Sequence, residues 1–85
     1  MNTIFTEKAE ADFSHWLREN RKVANKIWDL IKSIKRDGSM QGIGKPEKLK
    51  YEDTFSRRID ESNRLVYKVS DEAVSIVSCK GHYKD

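Results

Sequence analysis

The spacing of hydrophobic residues changes once along this chain, and this change constrains the fold more than any other feature. Over residues 7–36 the apolar residues recur at the three- and four-residue spacing of an amphipathic helix, whereas over 54–82 they alternate with polar residues as in strands. The segment 37–50, which contains glycine and proline, separates the two patterns. This order predicts an α+β domain in which two helices pack on one face of a small antiparallel β-sheet.

The N-terminal half predicts a short strand followed by two helices. The run NTIF at 2–5 is typical of a strand, and Thr6 can cap a first helix over 7–19. A second helix begins after the polar break at 20–21 and carries an apolar stripe that extends to Ile34. Its opposite face is basic, which fits either an ordinary solvated surface or contact with an acidic partner or a phosphate backbone.

Three strand-like runs follow in the C-terminal half: TFSRRID at 54–60, RLVYKVS at 64–70 and AVSIVSCKGH at 73–82. Because only short polar turns separate them, we expect antiparallel neighbours in a meander. The chain has 85 residues, enough for one modest hydrophobic core, so a single domain spanning 1–85 is expected.

Composition excludes some functions and leaves others open. Cys79 is the only cysteine, which rules out an internal disulfide and a cysteine-based zinc site. It falls in an apolar strand pattern, so a buried structural thiol is expected. The net charge of +3 allows an anionic partner such as RNA without requiring one. The single cysteine fits a reducing, cytoplasmic compartment, and no apolar run suits a membrane span or a signal peptide.

Strand alternation brings two arginines together. A three-residue turn at 61–63 would set Ile59 opposite Leu65 in the core and would put Arg58 and Arg64 on the other face. Two guanidinium groups on one face repel unless an anion lies between them, and arginine binds phosphate in a bidentate manner. Pairing of each arginine with a nearby acid such as Asp60 or Glu61 explains the same pattern equally well, so both interpretations stay open.

An acid–base pair can be added to the arginines. Glu47 lies in the lysine-rich segment 44–50, and His82 follows the last predicted strand. Cations keep a carboxylate ionised and available as a base, and an imidazole can act as an acid near neutral pH. With the arginines, this set suffices for metal-free RNA cleavage. Each residue alone is more simply a surface residue. His15 is expected on the surface of the first helix, and two histidines without an acid cluster argue weakly for a metal site.

The motifs GKPEKLK, SRRI, RLVY and the terminal HY, preceded by FTEKAEADFSHW, resemble the YoeB/Txe family of bacterial toxins, which belongs to the RelE-like toxins. The resemblance covers essentially the whole chain and implies a RelE-like, microbial-RNase-like fold. It implies the toxin of a type II toxin–antitoxin system, a ribosome-dependent endoribonuclease that cleaves mRNA in the ribosomal A site with no cofactor or metal. The partners implied are a YefM-type antitoxin, the 70S ribosome and mRNA; a homodimer is compatible with it, and no membrane is involved.

Six residues match family positions that carry chemistry. The roles that the resemblance implies are general base for Glu47, phosphate contact for Lys50, substrate or phosphate contact for Arg58, transition-state stabilisation for Arg64, general acid for His82, and substrate orientation or base stacking for Tyr83.

The chain also departs from the family pattern. Phe55 stands where a tryptophan is usual, Asn63 stands where a histidine is common, and Lys84 and Asp85 follow the HY pair. The alternative function is that of a RelE-fold toxin that binds a non-RNA target such as DNA gyrase without nuclease chemistry. A protein that only binds would have no reason to assemble the base, the arginine and the acid.

Overall fold

The computed structural model describes residues 1–51 and 53–82, which form five strands and two helices. Tyr83, which was expected to orient the substrate, lies outside the described residues, as do Lys84 and Asp85. The element bounds are β1 Asn2–Phe5, α1 Glu7–Glu19, α2 Arg21–Asp37, β2 Glu47–Lys48, β3 Thr54–Arg58, β4 Arg64–Val69 and β5 Ala73–Ser78.

The strands form one sheet in the order β1-β5-β4-β3-β2. The predicted meander of β3, β4 and β5 is confirmed, because each of these strands pairs antiparallel with the next. The first strand differs from the other four, since β1 runs parallel to β5 at the sheet edge. The two helices connect β1 to the rest of the sheet, so a parallel neighbour is reached without a tight turn.

Side-chain caps set the helix boundaries. The Thr6 hydroxyl accepts a hydrogen bond from the Ala9 amide at 3.1 Å, which starts α1 at the predicted residue. Asn20 serves both helices: its amide donates to the Trp16 carbonyl at 2.9 Å, and its side-chain oxygen accepts from the Val23 amide at 3.4 Å. One extended residue therefore ends α1 and begins α2.

The core lies between the helices and one face of the sheet. We call the sheet face that packs against the helices the covered face. On β3 and β4 it carries Phe55, Arg57, Leu65 and Tyr67. The face that the helices leave uncovered is the open face, and on the same strands it carries Ser56, Arg58, Arg64, Val66 and Lys68. The buried apolar cluster contains Ala9, Ile27, Leu30, Ile31, Ile34, Ile59, Leu65, Tyr67, Val74, Ile76 and Cys79.

The predicted register between β3 and β4 is wrong. Leu65 lies opposite Arg57 rather than Ile59, and Arg58 lies directly opposite Arg64. Ile59 is still buried, but it lies beyond the end of β3. Arg58 and Arg64 nevertheless share the open face, as expected, because a shift of two residues keeps each side chain on its own face.

A longer turn causes the difference in register. The Asp60 carboxylate accepts hydrogen bonds from the backbone amides of Ser62 and Asn63, both at 2.8 Å. The amides of Ile59 and Asp60 both donate to the Asn63 carbonyl, at 2.9 and 3.2 Å. The turn therefore includes Ile59 and Asp60, which the sequence pattern assigned to the strand. Within the described part of the chain, neither helix is long and apolar enough to cross a membrane.

Candidate active site

An ion pair on the open face joins the start of β2 to the start of β4. Arg64 Nη2 donates to Glu47 Oε2 at 3.2 Å, and Arg64 Nε donates to the buried Ser56 hydroxyl at 3.1 Å. The Arg64 side chain is 16% exposed, whereas the Glu47 side chain is 63% exposed. The guanidinium is therefore held in a fixed position, while the carboxylate stays accessible to a ligand.

Arg58 lies opposite Arg64 on this face and differs from it in its partners. Its side chain is exposed, and it makes no ion pair or hydrogen bond with the residues that the structure describes. The acid that pairs with Arg64 is Glu47, not one of the turn residues Asp60 and Glu61 that were considered from the sequence. One of the two facing cations is thus compensated and the other is available for an anion.

The lysines around Glu47 are also exposed. Lys50 lies beyond the end of β2, and no hydrogen bond or ion pair connects it with the Glu47–Arg64 pair. Phe55, which stands at the usual tryptophan position, stacks on Tyr67 with ring centres 5.7 Å apart, and Lys48 lies over it at 5.7 Å. Phe55 therefore contributes to packing.

The chain segment that leads to His82 is bound to β4. The Arg64 amide donates to the Gly81 carbonyl at 3.0 Å, and the Gly81 amide donates to Asn63 Oδ1 at 2.8 Å. Gly81 has a positive φ of 84°, which a residue with a side chain rarely adopts. The exposed His82 therefore follows a turn that is anchored beside the strand end where Arg64 lies.

Asp60 lies near this histidine. Partial burial would raise the pKa of the Asp60 carboxyl, but hydrogen bonds from the Ser62 amide and from the side chain and amide of Asn63 outweigh it. The charge of His82 adds to them, and the pKa falls below its ordinary value. The turn that sets the β3–β4 register therefore also faces the C-terminal segment.

Helix α1 binds the end of β5. Asp12 Oδ2 accepts from the Cys79 amide at 3.0 Å, and the Trp16 indole donates to the Cys79 carbonyl at 2.8 Å. Burial raises the pKa of the Cys79 thiol to about 12, with the charge of Asp12 adding to the shift and that of Lys8 opposing it. The expected buried structural thiol is confirmed.

Sequence reasoning missed Arg57, which is fully buried on the covered face. Its Nε donates to the Tyr67 hydroxyl at 2.9 Å, and Nη1 donates to the Ser33 hydroxyl and the Ile43 carbonyl, both at 2.9 Å. Its Nη2 donates to the carbonyls of Gly38, at 2.7 Å, and Gln41. One signal was available: adjacent arginines in a strand point to opposite faces, so one of the pair had to face the helices.

Arg57 thereby fixes the loop that precedes Glu47. The Tyr67 hydroxyl also donates to the Ser39 carbonyl, at 2.6 Å, and burial raises the pKa of that hydroxyl although Arg57 opposes the shift. Gly42 in this loop has a φ of 101°, and a β-carbon there would collide with the Ser33 hydroxyl. The route of the chain from α2 to the active-site carboxylate is therefore tightly specified.

The second histidine packs against a tryptophan. His15 on α1 is half-buried, with its ring edge-on to Trp16 and the ring centres 4.8 Å apart. Across residues 1–51 and 53–82, no three histidine, cysteine or acidic side chains are grouped so that they could hold a metal ion.

Comparison with known proteins places the chain in a family. A family model described as the YoeB-like toxin of bacterial type II toxin-antitoxin systems matches residues 5–83. A Streptomyces coelicolor protein named Toxin YoeB is 44% identical over 85 residues, which are 98% of this chain and 100% of the relative. The structure of a YoeB dimer from Staphylococcus aureus covers 98% of both chains at 45% identity, with a TM-score of 0.94. A YoeB–YefM complex from the same organism gives 46% identity, a TM-score of 0.90 and the same coverage of both chains. The chain therefore belongs to the YoeB-like toxins of bacterial type II toxin–antitoxin systems.

Proposed function

We propose that this toxin is an endoribonuclease, an mRNA interferase that inhibits translation by cleaving mRNA in the ribosomal A site. The observation that carries the proposal is the open-face group, in which the Glu47 carboxylate pairs with Arg64 at 3.2 Å while Arg58 lies opposite and unpaired within the described chain. A carboxylate beside two guanidinium groups suits one phosphodiester and its neighbouring hydroxyl. Ribosome-bound mRNA as the substrate implies action in the cytoplasm.

In the proposed reaction Glu47 is the general base. Its Oε1 has no hydrogen bond to the described residues and is free to take the proton from the ribose 2′-hydroxyl. The 2′-oxygen then attacks the adjacent phosphorus, and the bond to the 5′-oxygen breaks. The products are a 2′,3′-cyclic phosphate and a 5′-hydroxyl, whose proton comes from His82 as general acid.

The arginines stabilise the charge that develops on the phosphate. Arg64 Nη1 makes no hydrogen bond to the described residues, so this donor remains for a phosphate oxygen while Nε stays on Ser56. Arg58 supplies a second cation, and Lys50 contacts a neighbouring phosphate. We further propose that Tyr83 orients the substrate or stacks on a base, a role supported by the family motif alone.

The proposed partners follow from the family. A YefM-type antitoxin is proposed for this chain because the Staphylococcus aureus YoeB relative forms a complex with YefM. A homodimer is proposed on the same ground, since a second structure from that organism is a YoeB dimer. The 70S ribosome and mRNA are proposed from the resemblance of the sequence motifs to this toxin family.

Primer extension on mRNA bound to 70S ribosomes tests the function. We expect wild-type protein to produce new 3′ ends at A-site codons and Glu47→Gln to reduce the cleavage rate by about 10²–10⁴-fold, the usual contribution of a general base. The matched control is Glu61→Gln, an exposed acid in the β3–β4 turn that should leave the rate unchanged.

Two further experiments separate the proposed nuclease from a target-binding toxin and from a metal-dependent enzyme. Full toxicity of folded Glu47→Gln and His82→Ala variants, with inhibition of purified DNA gyrase, would overturn the nuclease in favour of a target-binding toxin. Protein stripped with EDTA and then supplied with magnesium-loaded ribosomes should cleave at the wild-type rate. A loss that only a transition metal restores would contradict the proposed acid–base mechanism.

A further inference from the structure

We infer that Asn63 and Asp60 are positioning residues, which hold the C-terminal segment so that His82 is presented beside Arg64. The inference rests on the proposed function, in which His82 acts as general acid. It gives a role to Asn63, which stands where related toxins commonly have histidine, and to Asp60, an exposed residue of the β3–β4 turn. Neither residue belongs to the proposed set of general base, general acid and arginines.

The first observation is that both backbone groups of Gly81 are bound. Its carbonyl accepts from the Arg64 amide at 3.0 Å, and its amide donates to Asn63 Oδ1 at 2.8 Å. The first bond joins two backbones, so it needs no particular side chain at either position. The second bond requires a side-chain acceptor of the right length at position 63. Asn63 is therefore the part of this clamp that depends on the sequence.

The second observation concerns the orientation of the Asn63 amide. Its Nδ2 donates to both carboxylate oxygens of Asp60, at 3.0 and 3.1 Å. An ionised carboxylate only accepts hydrogen bonds, so the amide cannot flip without setting its oxygen against Asp60. Asp60 is itself fixed by the backbone amides of Ser62 and Asn63. The carboxylate thus forces Oδ1 to face Gly81.

The third observation is the location of the clamp along the C-terminal segment. Cys79 is bound to α1 through Asp12 and Trp16, two residues before Gly81. That attachment is buried and belongs to the core, whereas the clamp is at the surface and immediately precedes His82. Loss of the clamp should leave β5 in place and increase the mobility of Gly81 and His82.

Asn63→Ala tests the inference, with Ser62→Ala as the matched control in the same turn, because only the backbone of Ser62 takes part in the contacts described. We expect Asn63→Ala to reduce kcat for cleavage on ribosomes by about 10–100-fold, since small misplacement of a catalytic group is costly, with KM changed less than about threefold. The urea midpoint should fall only slightly, because the lost hydrogen bonds lie at the surface, and Ser62→Ala should match wild type in all three quantities.

A reciprocal exchange gives the sharper test. Asp60→Asn combined with Asn63→Asp restores a carboxylate–amide pair in reverse, so an oxygen at position 63 again accepts from Gly81. Asn63→Asp alone sets a second carboxylate against Asp60 and should lower kcat, and the double variant should recover most of it. In the free protein, the Gly81 amide should lose its ¹⁵N–¹H heteronuclear NOE in Asn63→Ala and regain it in the double variant.

The outcomes separate this inference from the proposed function. A Gly81 amide that stays rigid in Asn63→Ala, or one that becomes mobile while kcat remains at the wild-type value, would overturn the positioning role. Absence of cleavage by wild-type protein on ribosomes would instead overturn the proposed function, and the NOE would still report on whether the clamp exists.

Discussion

The two faces of the β3–β4 pair use arginine in opposite ways. On the covered face Arg57 has no exposed surface, and five hydrogen bonds from its guanidinium reach hydroxyl and carbonyl oxygens. On the open face Arg58 is exposed, and Arg64 pairs with the accessible Glu47. The N–H donors of Arg57 are all used within the fold, whereas some N–H donors of Arg58 and Arg64 remain available to a ligand. Residue type alone therefore does not distinguish a structural cation from a functional one.

The buried guanidinium is stabilised by neutral oxygens, an aromatic ring and a more distant charge. The ring of Tyr67 lies 5.6 Å from the Arg57 guanidinium carbon, within the range of a cation–π contact. The pKa of Asp37 is lowered mainly by its hydrogen bond from Arg36, then by Ser33, with the charge of Arg57 contributing as well. Burial of the Arg57 guanidinium would cost much free energy without these partners, because an unpaired charge is unstable away from water.

The largest expected effect comes from removing Arg57. Arg57→Met would leave the loop carbonyls and the Tyr67 hydroxyl without a donor, so we expect the free energy of unfolding to fall by about 3–5 kcal/mol. Arg58→Met, the adjacent residue on the other face, should change it by no more than about 0.5 kcal/mol. Urea unfolding followed by circular dichroism gives both values. Equal losses at the two positions would remove the distinction between the faces.

A second, smaller effect concerns the thiol on the covered face. Because the pKa of Cys79 is raised from 9.0 to about 12 in the fold, the unfolded chain loses this proton first as pH rises. The stabilising contribution is complete below pH 9 and decreases above it, by about 1.4 kcal/mol per pH unit. Between pH 8 and 10, Cys79→Ala should therefore show a flatter fall in unfolding free energy than wild type. Parallel curves would mean that the thiol titrates in the fold as it does in the unfolded chain.

The fold could be predicted from sequence because its elements are specified locally. Thr6 and Asn20 cap the helices through nearby atoms, and alternation fixes which face each strand residue occupies. That alternation placed Arg58 and Arg64 together even though the register was wrong. The register depends on Asp60, whose carboxylate lengthens the turn, and a periodic pattern does not encode such a contact.

The contacts of the candidate site were less accessible to sequence reasoning. The Glu47–Arg64 pair depends on β2, a strand of two residues that carries no periodicity. Arg57 could be assigned to the covered face by alternation, but its partners are carbonyls of the loop after α2, which become visible only in three dimensions. Alternation and residue chemistry pointed to Glu47, Arg58, Arg64 and His82, while Lys50 and Tyr83 were proposed from the family motifs alone.

The smallest expected effect on stability belongs to the open-face pair. Glu47 is 63% exposed, so its attraction to Arg64 is weakened by water, and a double-mutant cycle with Glu47→Gln and Arg64→Met should give a coupling of about 0.2–1 kcal/mol. This coupling should shrink in 1 M salt, where the screening length is about 3 Å. A cycle between Arg57→Met and Ser33→Ala on the covered face should give a larger value that salt hardly changes. If the Glu47–Arg64 coupling instead exceeded about 2 kcal/mol and persisted in salt, the pair would be a structural bridge. Its donors would then be committed to the fold, as those of Arg57 are, and less available to a phosphate.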